Sequence, residues 1–178
     1  VTVLDEFDNP VTDVAGDLAG SVGGANTAAL IFVAGTTVGT YTATYTPTIA
    51  GTDNIAIALD GTAISGSPYS SVVSSAAADA TNTTASVPAG TAGEVTTVTI
   101  TVLDEYDNAV TGVAADLSIM LSGSNATATL SAITDNGDGT YTVTYTPTVA
   151  GTDNFAITLG GTAISGSPYS SVVSSADA

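Results

Sequence analysis

Most of this chain is one sequence block that is present twice. Residues 39–76 align with residues 139–176 at 33 of 38 identical positions, and residues 1–12 align with residues 100–111 at 9 of 12. A repeat of about 100 residues has the size of a whole domain, so we expect two copies of one fold. The segments 17–38 and 116–138 differ most between the copies.

The repeat also predicts where the domains begin and end. We expect a first domain over residues 1–76 and a complete second domain over residues 77–178. Val1 aligns with Ile100, which lies inside the alternating run 98–102, so the first domain lacks its first strand and part of its second. Two explanations are open: the preceding residues lie outside this sequence, or a neighbouring chain supplies the missing strand by β-augmentation.

Apolar residues alternate with Thr, Ala or Asn in several short runs, such as Val98/Ile100/Val102, Tyr141/Val143/Tyr145 and Phe155/Ile157/Leu159. A period of two predicts β-strands, and the clusters of Asp, Asn, Gly and Pro between the runs are typical of turns. No run keeps a helical period or reaches the ~18 apolar residues of a membrane span. About seven short strands per hundred residues predict an all-β chain of two tandem immunoglobulin-like β-sandwiches. The absence of Cys and Trp excludes the antibody type.

Two stretches of sequence resemble known repeats. Residues 135–169, DNGDGTYTVTYTPTVAGTDNFAITLGGTAISGSPY, resemble the filamin-type immunoglobulin repeat, with its D-x-G-D-G turn, Y-x-P-x-x-x-G corner and closing G-S-P-aromatic, and residues 39–69 match the same pattern after the turn. VLDEYDNAVTGV, at residues 102–113, resembles a turn of bacterial invasin-like (Big) immunoglobulin repeats. Both resemblances imply a sandwich that serves as a spacer, scaffold or adhesive stalk.

The corner motif carries a specific structural expectation. Tyr45 and Tyr145 lie just before Pro47 and Pro147. We expect each phenol to hydrogen-bond the backbone of its corner while the ring stays in the core.

Charge excludes several functions. The chain has 17 Asp and Glu residues but no Lys, Arg or His, so its net charge is −17, and it has no Cys. Such a chain repels nucleic acid and anionic membrane surfaces, and it lacks the residues for His-, Lys- or Cys-based catalysis. We therefore expect no enzyme activity, no required cofactor, no nucleic-acid partner and no direct membrane insertion.

The acidic residues suggest one candidate site. Antiparallel strands place several turns at the same end of the second sandwich, and these turns contain Asp104, Glu105, Asp107, Asp135 and Asp138, with Asp79 beside them. Several carboxylates without a cation predict a possible Ca²⁺ site. The alternative is that these acids cap backbone N–H groups of their turns and are surrounded by diffuse counterions.

The sequence as a whole predicts a non-catalytic structural repeat of an extracellular fibre, surface filament, stalk or adhesin that assembles end to end with copies of itself. An alternative is an adhesive module that binds a glycan or a surface receptor through the variable loops 23–26 and 122–125. Two sequons, at Asn82 and Asn125, are candidate glycosylation sites if the protein is secreted through a glycosylating pathway.

Overall fold

The computed structural model describes residues 1–176. The chain forms two compact units, Val1–Ser74 and Ser75–Ala178, which we call unit 1 and unit 2. The boundary lies two residues before the one predicted from the repeat. The described residues include no helix long and apolar enough to cross a lipid bilayer.

Unit 1 contains two sheets. The larger has the order β2-β1-β5-β6, with β7 also paired to β5, and the smaller pairs β3 with β4. The strands are β1 (Leu18–Gly24), β2 (Ala28–Leu30), β3 (Val33–Ala34), β4 (Tyr41–Thr42), β5 (Gly51–Leu59), β6 (Thr62–Ala63) and β7 (Tyr69–Val73).

Unit 2 is a fuller version of the same fold. One sheet has the order β12-β13-β10-β8, and the other has the order β11-β14-β16-β9, with β15 paired to β14. The strands are β8 (Thr84–Ser86), β9 (Gly90–Thr91), β10 (Thr96–Thr101), β11 (Leu117–Gly123), β12 (Thr134–Asp135), β13 (Thr140–Tyr145), β14 (Gly151–Leu159), β15 (Thr162–Ala163) and β16 (Tyr169–Ser174), with a 3-10 turn at Ala114–Asp116. The predicted all-β, immunoglobulin-like architecture is confirmed.

Period-two burial builds the core of unit 2. Alternate residues of β10, β13 and β14 point inward, and the buried set includes Val98, Ile100, Tyr141, Val143, Tyr145, Phe155, Ile157 and Leu159. The rings of Tyr145 and Phe155 meet edge to face, with centroids 5.1 Å apart. This geometry is favourable for aromatic pairs, because a positive ring edge meets a negative ring face.

The core of unit 1 is smaller. Its buried cluster consists of Val3, Leu18, Phe32 and Tyr41. Ile55 and Ile57 are only half-buried, whereas their counterparts Phe155 and Ile157 are fully buried. The two units therefore differ in how completely the space between their sheets is closed.

One turn shows the same backbone conformation with two different residues. Asp60 follows β5 with φ 48°, and its counterpart Gly160 follows β14 with φ 54°. Both are exposed, and both backbone N–H groups are hydrogen-bonded, to the carbonyls of Asp17 and Asp116. A left-handed φ is unfavourable for a residue with a Cβ, whereas glycine adopts it without steric cost.

We expect Asp60→Gly to stabilise unit 1 by about 0.5–1 kcal/mol, because it relieves a left-handed Asp without removing a backbone hydrogen bond. Thermal unfolding, with amide exchange to assign each transition to a unit, measures the change. The reciprocal variant Gly160→Asp should destabilise unit 2 by a similar amount. A loss of stability in Asp60→Gly would contradict the strain argument.

Candidate functional site

The acidic turns of unit 2 begin with the loop around Asp104. Its carboxylate is completely buried. Oδ1 accepts hydrogen bonds from the backbone N–H groups of Tyr106 and Asn108, each at 2.8 Å, and Oδ2 accepts one from the Ala76 N–H at 2.7 Å. The Asn108 side-chain amide donates to both oxygens, at 3.1 and 2.9 Å. The carboxylate is thus enclosed by N–H donors of its own domain.

The same turn recurs in unit 1 around Asp5. Its Oδ1 accepts from the N–H groups of Phe7 and Asn9, each at 2.9 Å, and the Asn9 amide donates to both carboxylate oxygens. Asp5 is exposed, however, whereas Asp104 is buried. The shared D-E-[F/Y]-D-N sequence is therefore a capped turn, in which the first Asp and the last Asn bind each other.

The other predicted ligands also cap local turns. Asp79 accepts from the Thr81 N–H and hydroxyl, each at 2.7 Å, and Asp138 accepts from the Thr140 N–H and hydroxyl at 2.9 and 2.6 Å. Asp135 accepts from the N–H groups of Gly112 and Gly137, at 2.6 and 2.8 Å. The contacts that span two positions form Asx-type turns, whereas the Gly112 contact joins the Asp135 turn to a separate loop.

Glu105 and Asp107 lie exposed on the Asp104 turn, and Asn82 joins this turn to the segment that contains Asp79. The Asn82 amide donates to the Asp104 carbonyl at 2.9 Å and to Asp107 at 3.4 Å. In the part of the chain that the structure describes, no three acidic side chains are close enough to hold a metal ion. Four of the six predicted ligands, Asp79, Asp104, Asp135 and Asp138, are instead held by hydrogen-bond donors. Calcium binding through rearranged side chains stays a prediction.

The hydrogen bonds lower the pKa of several of these carboxyls. Burial alone would raise the pKa of Asp104, but the hydrogen bonds from Asn108, Ala76 and Tyr106 outweigh it and hold the pKa below its ordinary value of 3.8. The pKa of Asp79 and that of Asp138 are lowered mainly by the Thr81 and Thr140 side chains. Backbone N–H groups, led by Gly112, lower the pKa of Asp135. The Asn9 side chain lowers that of Asp5.

A second polar cluster lies inside unit 2, around Asp153. Its carboxylate is completely buried and accepts from the Asn125 N–H at 2.7 Å, the Asn125 amide at 2.9 Å and the Tyr145 phenol at 3.2 Å. The Asn125 side-chain Oδ1 accepts from the N–H groups of Thr148 and Val149, and its side-chain Nδ2 donates to the Val149 backbone carbonyl. This Asp-Asn-Tyr lock fastens the loop after β11 to the turn between β13 and β14.

The lock corrects the expectation for the corner tyrosines. The Tyr145 phenol donates to the buried Asp153 carboxylate rather than to the backbone of the Pro147 corner. In unit 1 the Tyr45 phenol likewise donates to Asp53, at 3.1 Å. Other tyrosines do bond backbone: Tyr141 donates to the Val110 carbonyl at 2.9 Å, and Tyr41 donates to the Val11 carbonyl at 3.0 Å.

Sequence reasoning missed both aspartates of these locks, although a signal was present. Asp153 continues the inward-facing alternation of Phe155, Ile157 and Leu159 by one more step. An acid on the buried face of a strand requires donors, because an unpaired buried charge is strongly unfavourable. The described residues contain no buried side-chain polar atom without a partner.

The locks also bear on two predicted sites. Asn26 and Asn125 close the variable loops 23–26 and 122–125, yet both are buried and hydrogen-bonded to Asp53 and Asp153. Within these loops, only residues 23–25 and 122–124 are then left to bind a glycan or a surface receptor. Because its amide is engaged, the Asn125 sequon offers no accessible acceptor for a glycan on the folded domain. The Asn82 amide is hydrogen-bonded as well and half-buried.

Each unit is thus an immunoglobulin-like β-sandwich repeat with the same capped turn and the same internal lock. The Filamin/ABP280 repeat model matches residues 77–170, more than half of the chain, so the chain belongs to the filamin repeat family. The resemblance seen in the sequence is confirmed. Folds of this family are typically non-catalytic structural modules.

Solved structures of bacterial surface proteins are also similar. The Escherichia coli adhesin FdeC is 26% identical, with a TM-score of 0.70, over 97% of this chain and 56% of that one. Yersinia pseudotuberculosis InvD is 25% identical, with a TM-score of 0.68, over 98% of this chain and 51% of that one. Invasin, a bacterial integrin-binding protein, shares the fold at 19% identity and a TM-score of 0.51, over 98% of this chain and 35% of that one. The chain therefore spans about half the length of the first two. No curated protein sequence matches it.

Asp104 should make unit 2 sensitive to acid. Because its pKa in the folded state is lowered, its ionised form stabilises the fold above the unfolded value, and this stabilisation is lost as the pH falls through the folded pKa, below 3.8. We expect Asp104→Asn to destabilise unit 2 by about 1–3 kcal/mol near neutral pH, because buried N–H donors lose an acceptor.

The difference between the parent and Asp104→Asn should shrink as the pH is lowered from about 6 to about 2.5, measured by denaturant unfolding. Asp5→Asn is the matched control in unit 1, where the exposed position should give a smaller loss. A difference that does not change with pH would mean that the ionised form of Asp104 is not what stabilises the turn.

The response to calcium distinguishes a specific site from diffuse screening. Because most of these carboxylates are already held by hydrogen-bond donors, we expect Ca²⁺ and Mg²⁺ at equal ionic strength to raise the melting temperature by the same amount, as screening of a net charge of −17 predicts. Calorimetric titration should show no saturable heat. Saturable Ca²⁺ binding that is abolished by Asp135→Asn and Asp138→Asn would instead support the calcium site predicted from the sequence.

Proposed function

We propose that this chain is a non-catalytic structural repeat of a cell-surface stalk, fibre or adhesin. The observation that carries the proposal is that both units use their carboxylates for internal fastening. Asp5 and Asp104 hold the same capped turn, and Asp53 and Asp153 hold the same lock. Groups fixed in this way maintain the shape of a sandwich, and the sequence lacks the His, Lys and Cys residues that most catalytic sites use.

The tandem arrangement supports a role as a spacer. Two near-identical units follow each other in one chain, and each additional unit of this kind extends the reach of whatever it carries. A net charge of −17 without a single Lys, Arg or His keeps such units hydrated and makes them repel one another. End-to-end assembly would therefore require contacts between units that outweigh this repulsion.

The similarity to adhesins supports an extracellular location. FdeC is named as an adhesin of Escherichia coli, and InvD aligns with this chain over a comparable length. Because the chain has no Cys, its units are stabilised without disulfides. The hydrogen-bonded turns and the closed core of unit 2 supply that stability.

Antibody labelling of intact source cells tests the proposal. We expect the chain to be labelled without permeabilisation and to be removed by brief treatment with a non-specific protease, because a surface stalk is exposed to both. A cytoplasmic protein of the same cells serves as the control and should be labelled only after permeabilisation. Labelling of the chain that also requires permeabilisation would overturn a surface role.

An adhesive module is the second candidate, and one observation favours it. The tip of the capped turn presents an exposed aromatic ring in both units, Phe7 at 75% exposure and Tyr106 at 47%. Exposed aromatic faces at equivalent positions suit stacking on a sugar ring or on a protein surface. Retention on a glycan array that is lost in Phe7→Ser combined with Tyr106→Ser would support adhesion, and equal retention of the variant would exclude this surface.

A further inference from the structure

One outer face of unit 2 is made almost entirely of threonine. It belongs to the sheet β12-β13-β10-β8 and points away from the core. Its side chains come from alternate residues of these strands, since every second residue of a strand lies on the same face. We call it the threonine face, and its residues are Thr84, Ser86, Thr97, Thr99, Thr101, Thr134, Thr140, Thr142 and Thr144.

The strand register places these residues opposite one another. The central strands β10 and β13 contribute three cross-strand pairs, Thr97 with Thr144, Thr99 with Thr142 and Thr101 with Thr140. The edge strands continue the middle row, because Ser86 lies opposite Thr99 and Thr134 lies opposite Thr142. One row of hydroxyl groups therefore crosses all four strands of the sheet.

The spacing of this grid is regular in both directions. Alternate residues of an antiparallel strand are about 6.8 Å apart, and neighbouring strands are about 4.8 Å apart. Cross-strand pairs alternate between a wide and a narrow type along a ladder, so all pairs on one face are of the same type. The hydroxyl and methyl groups thus repeat at one distance along the strands and at another across them.

Most hydroxyl groups at the centre of the threonine face are open to water. Within the described part of the chain, no protein partner is bound by the hydroxyls of Thr97, Thr99, Thr101 and Thr144. Near the turn before β13, the Thr140 hydroxyl donates to Asp138 at 2.6 Å and the Thr142 hydroxyl contacts Asn136 at 3.5 Å. The face therefore presents hydroxyl groups that are free to bond with a surface placed against it.

The threonine face also differs from the rest of the molecule in charge and composition. None of its residues is acidic, although the chain contains 17 Asp and Glu residues. The outer face of the other sheet of unit 2 is mixed, because it includes Met120, Asn154, Ala156 and Val172. Threonine suits any exposed strand position. Its concentration on one face is therefore not explained by strand propensity alone.

We propose that the threonine face binds crystalline water, that is, the surface of ice. Ice is an uncharged lattice of oxygen atoms, and the repeats on its prism faces are close to the two spacings of the grid. A threonine hydroxyl can replace a water molecule of the surface layer, and the methyl group beside it restricts the orientation of the water around it. A carboxylate would instead keep its own hydration shell, and this face has none.

The twist of the sheet limits the strength of the effect. Neighbouring strands in a sheet are rotated by about 20–25° relative to each other. The match to a flat lattice therefore holds over the central pairs of β10 and β13 and is lost toward the edges. For so small a grid, we expect slower growth of existing ice crystals rather than a large depression of the freezing point.

Partition of the full chain between ice and liquid tests the proposal. A solution is frozen slowly from a cold surface, and the protein concentration in the ice is compared with that in the remaining liquid. A solute without affinity for ice is pushed out of the growing crystal, whereas we expect the chain to be enriched in the ice fraction. Exclusion of the chain from the ice would overturn the proposal.

Matched double variants locate the binding on the threonine face. Thr99→Tyr combined with Thr142→Tyr places two rings at the centre of the face, and Tyr is also a good strand former. We expect this variant to lose the enrichment in ice, because the rings hold the grid away from the crystal. Thr152→Tyr combined with Thr158→Tyr changes the outer face of the other sheet and should retain it. Equal behaviour of the two double variants would overturn the assignment.

A single added charge gives a second test, which does not depend on large side chains. Thr97→Glu and Val172→Glu alter exposed positions on the two outer faces and add the same charge to the chain. We expect only Thr97→Glu to lose the affinity for ice, because its carboxylate orders water differently from ice. Retention of the affinity by Thr97→Glu, or its loss in Val172→Glu, would overturn the proposal.

Sedimentation at rising concentration tests the competing occupant of this face, a second copy of the chain. We expect no self-association that depends on the threonine face. Self-association of the parent that Thr99→Tyr combined with Thr142→Tyr abolishes would show that the face binds protein, and would overturn the proposal. The inference goes beyond the proposed structural role, and a failure to bind ice leaves the surface labelling of intact cells unaffected. The two proposals therefore fail separately.

Discussion

Every buried carboxylate in this protein must be satisfied by a neutral donor, because the chain has no Lys, Arg or His. Asp104 and Asp153 show how this is done: each accepts several N–H or O–H hydrogen bonds from nearby Asn, Tyr and backbone groups. Ion pairs tolerate loose geometry, whereas hydrogen bonds of this kind require fixed directions. The positions of the loops follow from that requirement, since each loop must present its N–H groups to a carboxylate at hydrogen-bond distance.

The sequence predicted the strands and the core more completely than it predicted the contacts of the acidic side chains. Alternation along β10, β13 and β14 indicated the sandwich and its core correctly, because burial on one face leaves a clear period of two. The acids were assigned to the correct turns with two alternatives, calcium binding and capping of backbone N–H groups, and the structure shows capping by Asp104, Asp135 and Asp138. Sequence spacing does not show whether a carboxylate points toward its own backbone or toward solvent, and Asp135 and Asp138 point toward backbone.

The buried lock was missed for a related reason. Asp153 and Asn125 are 28 positions apart, and only the pairing of β11 with β14 brings them together. Tyr145 was noticed because of the proline after it, yet its partner Asp153 lies on β14, in the opposite sheet, rather than in the corner. Long-range register, which depends on the packing of both sheets, is not encoded in any local motif.

The parallel pairing of β9 with β16 has a mechanical consequence for unit 2. Gly90 and Thr91, near the start of the unit, lie beside Val173 and Ser174, near its end, and the Ala92 N–H donates to the Ser174 carbonyl. These two strands come from opposite ends of the unit's sequence but lie side by side in parallel. A force that pulls the two chain ends apart therefore shears one strand along the other. Their hydrogen bonds then share the force and break together rather than one after another. A unit closed in this way therefore resists extension.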